Sequence, residues 1–418
     1  MSTETGADAD LAAVYDPFHS PQLDDPHPVW ARARRECPAF RSEVLNAWIV
    51  TRYDDVAWVL RDHSTFSSAG GSKPFAPPPP EVAEVLARVP DPQQMDLLTS
   101  DPPRHQRLRR FMQDAFTLKR VAGLEDGLRA LAHELVDDVE ADGTCDFYTT
   151  FAHPFPLRAI GQLIGIPRSD QGQITHWVTC NIQLKWGSLD PESHLAAAHG
   201  RVEFYEFGQR LIAQRRADPE DDLLSALVTE SDASDDPLTE PELVGQIMTL
   251  LTAGHETTAN WLTLGMRRLL DEPGRWAGLA TDADSLGAVV EETLRFDGPA
   301  QGLWRTARDD VEVGGVTIPK GARISAVVGS AGRDGDMFTD PDHFDLDRPD
   351  ARAHLQFGRG IHTCVGAGLA RLEGRVAFQV LRERLPSLRL RDGGSVVFAP
   401  NAIQRVPRRL LVEWDVTP

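Results

Sequence analysis

The segment Phe357-Gly-Arg-Gly-Ile-His-Thr-Cys364-Val-Gly366-Ala-Gly-Leu-Ala-Arg371-Leu-Glu373 constrains this chain more than any other. Gly358, Gly360 and Gly366 surround one cysteine and permit backbone angles and close approaches that a Cβ resists. Beyond Cys364 the spacing turns helical. That predicts a sulfur at a helix N-terminus, where free N–H groups and the helix dipole favour a thiolate. A thiolate in a glycine turn is suited to ligate the metal of a flat cofactor. On haem iron such a ligand pushes electron density onto the metal and assists O–O cleavage. The alternative reading of the same residues is a structural cysteine buried in a turn.

Helical periodicity recurs through most of the chain, as over 124–139 and 200–216. Strand-like alternation is confined to Ala47 to Arg52, Val311 to Ile318, Arg323 to Val328 and a group from Leu388 to Trp414. The fold class is therefore mainly α with a minor β part. With 43 Lys+Arg against 63 Asp+Glu the net charge is -20. Such a field repels phosphate backbones and anionic lipid, which argues against nucleic acid as a partner. No stretch offers the roughly 20 apolar residues needed to span a bilayer. The acidic N-terminus lacks the positive start and apolar core of a secretory signal, so no membrane association and a cytoplasmic location are expected. Cys37, Cys145 and Cys180 are widely spaced and are expected to pack as small hydrophobes. The segment from Gly70 to Pro80, with five prolines, and the stretch Val89 to Pro92 read as flexible or polyproline connections and as candidate pocket walls.

The cysteine segment resembles the haem loop of the cytochrome P450 family at Phe357, Gly358, Gly360, His362, Cys364, Gly366, Leu369, Ala370 and Arg371. The family's other landmarks follow in order over nearly the whole chain. The resemblance implies the cytochrome P450 fold, with small β-sheets and a long central helix over a haem. It also implies an N-terminal tail over 1–25 followed by a single domain over 26–418. It implies haem b (iron protoporphyrin IX) as cofactor, Cys364 as the axial ligand of its iron, and Phe357 and Gly358 beside it.

A long helical stretch from Pro241 to Leu270 is interrupted by Ala253-Gly254-His255-Glu256-Thr257-Thr258. A threonine can bond back to the carbonyl four residues earlier, here Ala253 for Thr257, bending the helix and opening a groove. Activating dioxygen requires protons, and an acid beside a hydroxyl is an apt relay. The resemblance implies that Glu256 and Thr257 are catalytic and that Ala253 and Gly254 lie against the cofactor, with His255 facing elsewhere.

Haem propionates need cations or strong donors. His105 and Arg109, four apart on a helical segment, share a face; Arg305 and His362 would add donors from other elements, and all four match propionate positions of the family. Glu292 and Arg295 match its Glu-x-x-Arg pair, which the resemblance implies is buried and braces the cysteine loop. At Gly332-Arg333-Asp334-Gly335 many members have Asn-Arg-Asp-Pro, which predicts a looser turn here. Thr363 replaces a common apolar residue and places a hydroxyl near the sulfur.

The chain ends soon after its last strand region without a flavin or iron–sulfur segment. Electrons are therefore expected from a separate ferredoxin or flavodoxin with an NAD(P)H-dependent reductase, docking on Arg104, Arg107, Arg110, Arg120 and Arg359. The resemblance places the substrate pocket at Gly70 to Met95, Asn181 to Trp186, Leu250, Ala253, Pro299 to Leu303 and Ala402 to Ile403. Within it, Gln301 offers a donor and an acceptor beside Gly302 and Leu303, and Ile403 is apolar. This composition suits a small, largely apolar molecule with one or two polar groups. The expected activity is that of a haem-thiolate monooxygenase using dioxygen to hydroxylate or epoxidise such a molecule in secondary metabolism or catabolism. The alternatives are a hydrogen-peroxide-using peroxygenase, which would not need Glu256 and Thr257, and a non-catalytic haem-binding sensor or carrier.

Overall fold

A computed structural model describes residues 6–71, 73–74, 77–187 and 189–416. Residues 1–5 of the expected tail, residues 72, 75 and 76 of the proline-rich segment, and residues 188 and 417–418 lie outside the described residues. The helices that position the functional residues are α1 (Arg104–Ala115), α2 (Glu125–Asp137), α3 (Gln171–Trp186), α4 (Pro191–Ala217), α5 (Glu240–Leu270), α6 (Ala283–Asp297) and α7 (Ala367–Arg384). Contacts group the chain into two compact units, Met1–Ser67 with Glu125–Pro154 and Thr257–Pro418, and Ser68–Leu124 with Phe155–Glu256.

The first unit holds the β part. Strands β1 (Ala39–Ser42), β2 (Ala47–Val50), β3 (Phe66–Ser67), β4 (Leu303–Ala307) and β5 (Arg323–Ala326) form a sheet in the order β1-β2-β5-β4-β3. β2 and β5 run parallel and the other pairs antiparallel. Alternate residues Ile324 and Ala326 of β5 bury into one core with Phe66, Leu60, Phe338 and Leu355. Burying each larger side chain of this kind contributes about 1.5–3 kcal/mol. The register Arg305↔Ile324 fixes where Arg305 leaves the sheet. The expected C-terminal strands pair as Leu411–Glu413 with Thr144–Asp146 and Arg389–Leu390, and as Val397–Ala399 with Val406–Arg409.

The turn at 332–335 is firmly held, contrary to the looseness its glycines predict. A Cβ on Gly332 would lie 2.4 Å from the Arg295 carbonyl oxygen, so only glycine fits that approach. Arg333 lies over the Phe296 ring, 3.6 Å from its centroid, and its Nε donates to the Phe296 carbonyl at 2.9 Å. The Asp334 carboxylate accepts from the Tyr53 backbone N–H at 2.7 Å. Tertiary hydrogen bonds hold this turn.

The second unit is helical. Cys180 and Leu184 of α3 share a small core with Ala197 of α4. Helix α5 contributes residues 240–256 to this unit and 257–270 to the first. The interruption expected at 253–258 does not occur, and α5 runs unbroken for 31 residues. Leu250, Leu251, Ala259, Trp261 and Leu262 are all buried along it, and such packing overrides weak local propensity.

Cys37 and Cys180 are buried and Cys145 half-buried; burial raises the Cys180 thiol and pushes Cys145 up to about 11, which disfavours their thiolates. Among the described residues no helix is long and apolar enough to cross a membrane.

Candidate active site

In the cysteine loop the Cys364 N–H donates to the Phe357 carbonyl at 2.8 Å, and the Gly358 N–H donates to the Leu355 carbonyl at 2.9 Å. Gly358 and Gly360 take φ of 69° and 78°, a region L side chains rarely enter. A Cβ on Gly360 would also lie 2.9 Å from the Arg61 Cα. The glycines thus close the loop tightly. Cys364 is exposed, three residues before Ala367 opens α7, whereas Leu369, Leu372 and Glu373 of that helix are buried. The Thr363 hydroxyl donates to the Gly360 carbonyl at 2.8 Å, which makes it a loop-closing group.

Two charged clusters are built around adjacent carboxylates of α6, Glu291 and Glu292. Arg295 Nε and Nη2 donate to both Glu292 carboxylate oxygens at 2.6 and 2.7 Å, with both side chains at most 1% exposed. The same guanidinium donates to the carbonyls of Gly332, Pro341 and His343, while Glu292 accepts from the Asp345 N–H. Glu291 holds the loop more directly. It accepts from Arg371 Nε at 2.6 Å and meets His354 Nε2 at 3.1 Å. Arg371 and His354 both pack on the Phe357 ring. Burial pushes the Glu291 carboxyl up, but the hydrogen bonds of His354 and Arg371 and the Arg371 charge outweigh it and hold the group at about 2. Sequence reading passes over Glu291, because a second carboxylate beside Glu292 looks like helix surface until its partners are seen. Gln356 adds a clamp, exchanging hydrogen bonds with the Ala300 backbone at 3.0 and 3.1 Å.

In the same unit, Arg305 is buried on β4 and donates to the Trp304 carbonyl at 2.7 Å, and His362 is half-buried in the loop. Leu303 lies against Gly358. The Gln301 N–H donates to the Ile403 carbonyl at 2.7 Å, which brings those two expected pocket residues together beside buried Gly302. The Gln301 side-chain amide donates to the carbonyls of Asn401 and Gln404 at 3.1 and 2.8 Å. Its N–H groups therefore serve the fold, and only its amide oxygen is left to face a ligand.

In the second unit, His105 is buried and Arg109 half-buried on α1. On α1, Arg104 and Arg107 both bind Glu242, Arg107 at 2.5 Å, while exposed Arg110 reaches only the Ser234 hydroxyl. On α5, Leu250, His255 and Glu256 are buried, yet Ala253 is exposed and Thr257 half-buried one turn later. Gly254 packs on Ile160, where a Cβ would come within 3.2 Å. Within the first unit, an exposed cysteine in a loop closed by two positive-φ glycines fits a ligand of a flat cofactor.

Glu373 of α7 accepts from Thr258 on α5, the neighbour of Thr257. Burial pushes its carboxyl up to about 8, against which the Thr258 hydrogen bond acts weakly. The folded protein thus keeps a proton that the unfolded chain releases above its ordinary 4.5, and stability is lost as pH rises from there toward 8. Glu373→Gln is expected to leave stability unchanged near pH 4.5 and to raise it by about 2 kcal/mol or more at pH 8, read by urea unfolding at both pH values.

A family model described as Cytochrome P450 matches residues 174–285 and 282–384. The chain is 37% identical over 390 residues to cytochrome P450 107B1 of Saccharopolyspora erythraea, covering 92% of this chain and 93% of that protein. It is 34% identical over 411 residues to 6-deoxyerythronolide B hydroxylase of the same organism, covering 96% and 98%. The solved structure of cytochrome P450 CREJ in complex with (4-ethylphenyl) dihydrogen phosphate has a TM-score of 0.91 at 31% identity, over 97% of this chain and 100% of that one. The chain belongs to the bacterial cytochrome P450 family. It has that family's fold, takes haem b as its cofactor, and is a monooxygenase that uses dioxygen to oxidise small organic molecules.

Proposed function

We propose that Cys364 is the axial thiolate of the haem and that Glu256 and Thr257 are its proton relay. The observation that carries this reading is the exposed sulfur in a loop closed by two positive-φ glycines at the start of α7. Arg305 and His362, with His105 and Arg109 on the resemblance, are assigned to the propionates, and Phe357, Gly358, Ala253 and Gly254 to the macrocycle. Haem supplies the iron at which dioxygen is activated. The protein's part is to move protons and exclude water. Thr257, half-buried on α5, hands on a proton, and the buried Glu256 carboxyl resupplies it.

Glu256→Gln is expected to lower product formation by about 100-fold while leaving substrate affinity and the carbon monoxide spectrum unchanged. Equal turnover of the variant with hydrogen peroxide and with dioxygen plus reductant would instead favour the peroxygenase. The substrate is a small, largely apolar organic molecule that is hydroxylated or epoxidised. Leu250, Gln301, Gly302, Leu303 and Ile403 are assigned to its pocket, as is the α3 segment 181–186.

Electrons come from a separate ferredoxin or flavodoxin. Exposed Arg352 and Arg359, in the chain leading to Cys364, support docking near the sulfur more strongly than α1 does. Reduction by an acidic ferredoxin should therefore slow as salt rises, measured by stopped-flow absorbance, and Arg359→Glu should slow it at low salt.

A further inference from the structure

The two adjacent carboxylates of α6 serve different neighbours. Glu292 binds Arg295 and meets Arg348, whereas Glu291 binds Arg371 and His354 on either side of the cysteine loop in sequence. Glu291 is 5% exposed and accepts from Arg371 Nε at 2.6 Å and Nη2 at 3.2 Å. The Arg371 guanidinium lies 4.5 Å from the centroid of the Phe357 ring, and the Phe357 carbonyl accepts from the Cys364 N–H at 2.8 Å. Three contacts therefore lead from the carboxylate to the cysteine backbone. His354 completes the cluster without adding charge. Its Nδ1 accepts from the Gln356 N–H at 3.2 Å, which leaves the ring proton on Nε2 to donate to Glu291, and burial holds this histidine below its ordinary range. Arg352 approaches Glu291 at 3.5 Å but is 78% exposed, so water screens it. The cluster thus matches one buried carboxylate with one guanidinium. It is neutral as built, and removing either half leaves a charge where solvent screens it poorly.

We propose that Glu291 is a positioning residue that sets the ferric–ferrous potential of the haem, by seating Arg371 on Phe357 and cancelling its charge. This rests on Cys364 as the thiolate ligand. Reduction adds one electron to the haem, which a nearby cation favours and a nearby anion opposes. With the pair intact the two effects offset each other, and the guanidinium still holds the ring whose backbone ties down Cys364. Second-sphere groups of this kind tune a metal without touching it.

The test is a spectroelectrochemical titration of the haem-loaded protein for wild type, Glu291→Gln, Arg371→Gln and the double variant. Glu291→Gln leaves Arg371 unmatched and is expected to shift the potential upward. Arg371→Gln leaves Glu291 unmatched and is expected to shift it downward, and the double variant should return close to wild type. Arg371→Lys and Glu291→Asp keep both charges and should hold the potential near wild type. A role confined to bracing predicts otherwise, because each lost partner would disturb the loop alike and the double variant would move at least as far. Shifts of the same sign in the two glutamine variants, or no shift in either, overturn the proposal. Arg371 is 35% exposed, so its substitution is the milder one. Should Glu291→Gln fail to fold, a downward shift in Arg371→Gln that is absent from Arg371→Lys supports the proposal, and any other result overturns it. The carbon monoxide difference spectrum of the same samples reports the thiolate separately. A wild type without the red-shifted band refutes the ligand assignment, while the signs of the shifts still report whether these two charges act on the iron.

Discussion

Cys364→Ala is expected to lose the strongly red-shifted Soret band of the reduced, carbon monoxide-bound protein and, with it, all product formation above background. The substitution removes one sulfur from a loop whose geometry does not depend on it. The Cys364 N–H still reaches the Phe357 carbonyl, and Gly358 and Gly360 still hold their positive φ. The variant should therefore fold, with unchanged helical circular dichroism, so the spectral loss reads the ligand and not the scaffold. Retention of a thiolate-type band in Cys364→Ala would refute the assignment. Cys37 and Cys180 are buried and the Cys145 thiol is pushed up by burial, so they are poor substitutes as ligands.

The second large effect is on stability. Arg295→Met removes one partner of a buried, doubly hydrogen-bonded pair and leaves the Glu292 carboxylate, 1% exposed, with only the longer contact to Arg348 at 3.5 Å and the Asp345 N–H. Breaking such a pair costs about 3–5 kcal/mol. Here the carbonyls of Gly332, Pro341 and His343 lose a donor as well. The loss should appear in urea unfolding, because those bonds tie α6 to the 332–348 segment. Replacing both residues, as in Glu292→Met with Arg295→Met, should recover part of the loss by removing the stranded charge, but not the part owed to the three carbonyls. Full stability of the single variant would show that the pair does not brace this region.

Much of the fold was legible from local pattern. The helical periods over 124–139 and 200–216 lie within or around α2 and α4, and the alternating pieces at 47–52 and 323–328 contain β2 and β5. Motif spacing alone marked the cysteine loop, because few backbones other than a glycine turn leading into a helix suit that sequence. Local reasoning failed where long-range partners override it. It took 253–258 as an interruption of the helix, but the buried flanks of α5 keep 240–270 one continuous helix. It took 332–335 as loose, but Asp334, Arg333 and Gly332 are tied to Tyr53, Phe296 and Arg295. Nor could it foresee that Glu242, more than 130 residues away in sequence, pairs with Arg104 and Arg107 of α1.

What the sequence by itself determined is the class of protein and its chemistry: a mainly helical cytochrome P450 with one thiol displayed at a helix start and an acid next to a hydroxyl on a long helix. Those features depend on residue type and short spacing, which the chain carries locally. Only the tertiary structure decided which charges are matched. Glu291 became the partner of Arg371 and His354, and Gln301 spent its donors on backbone. Charge balance is a property of neighbours in space, and residues 291 and 371 become neighbours only when α6 and α7 pack.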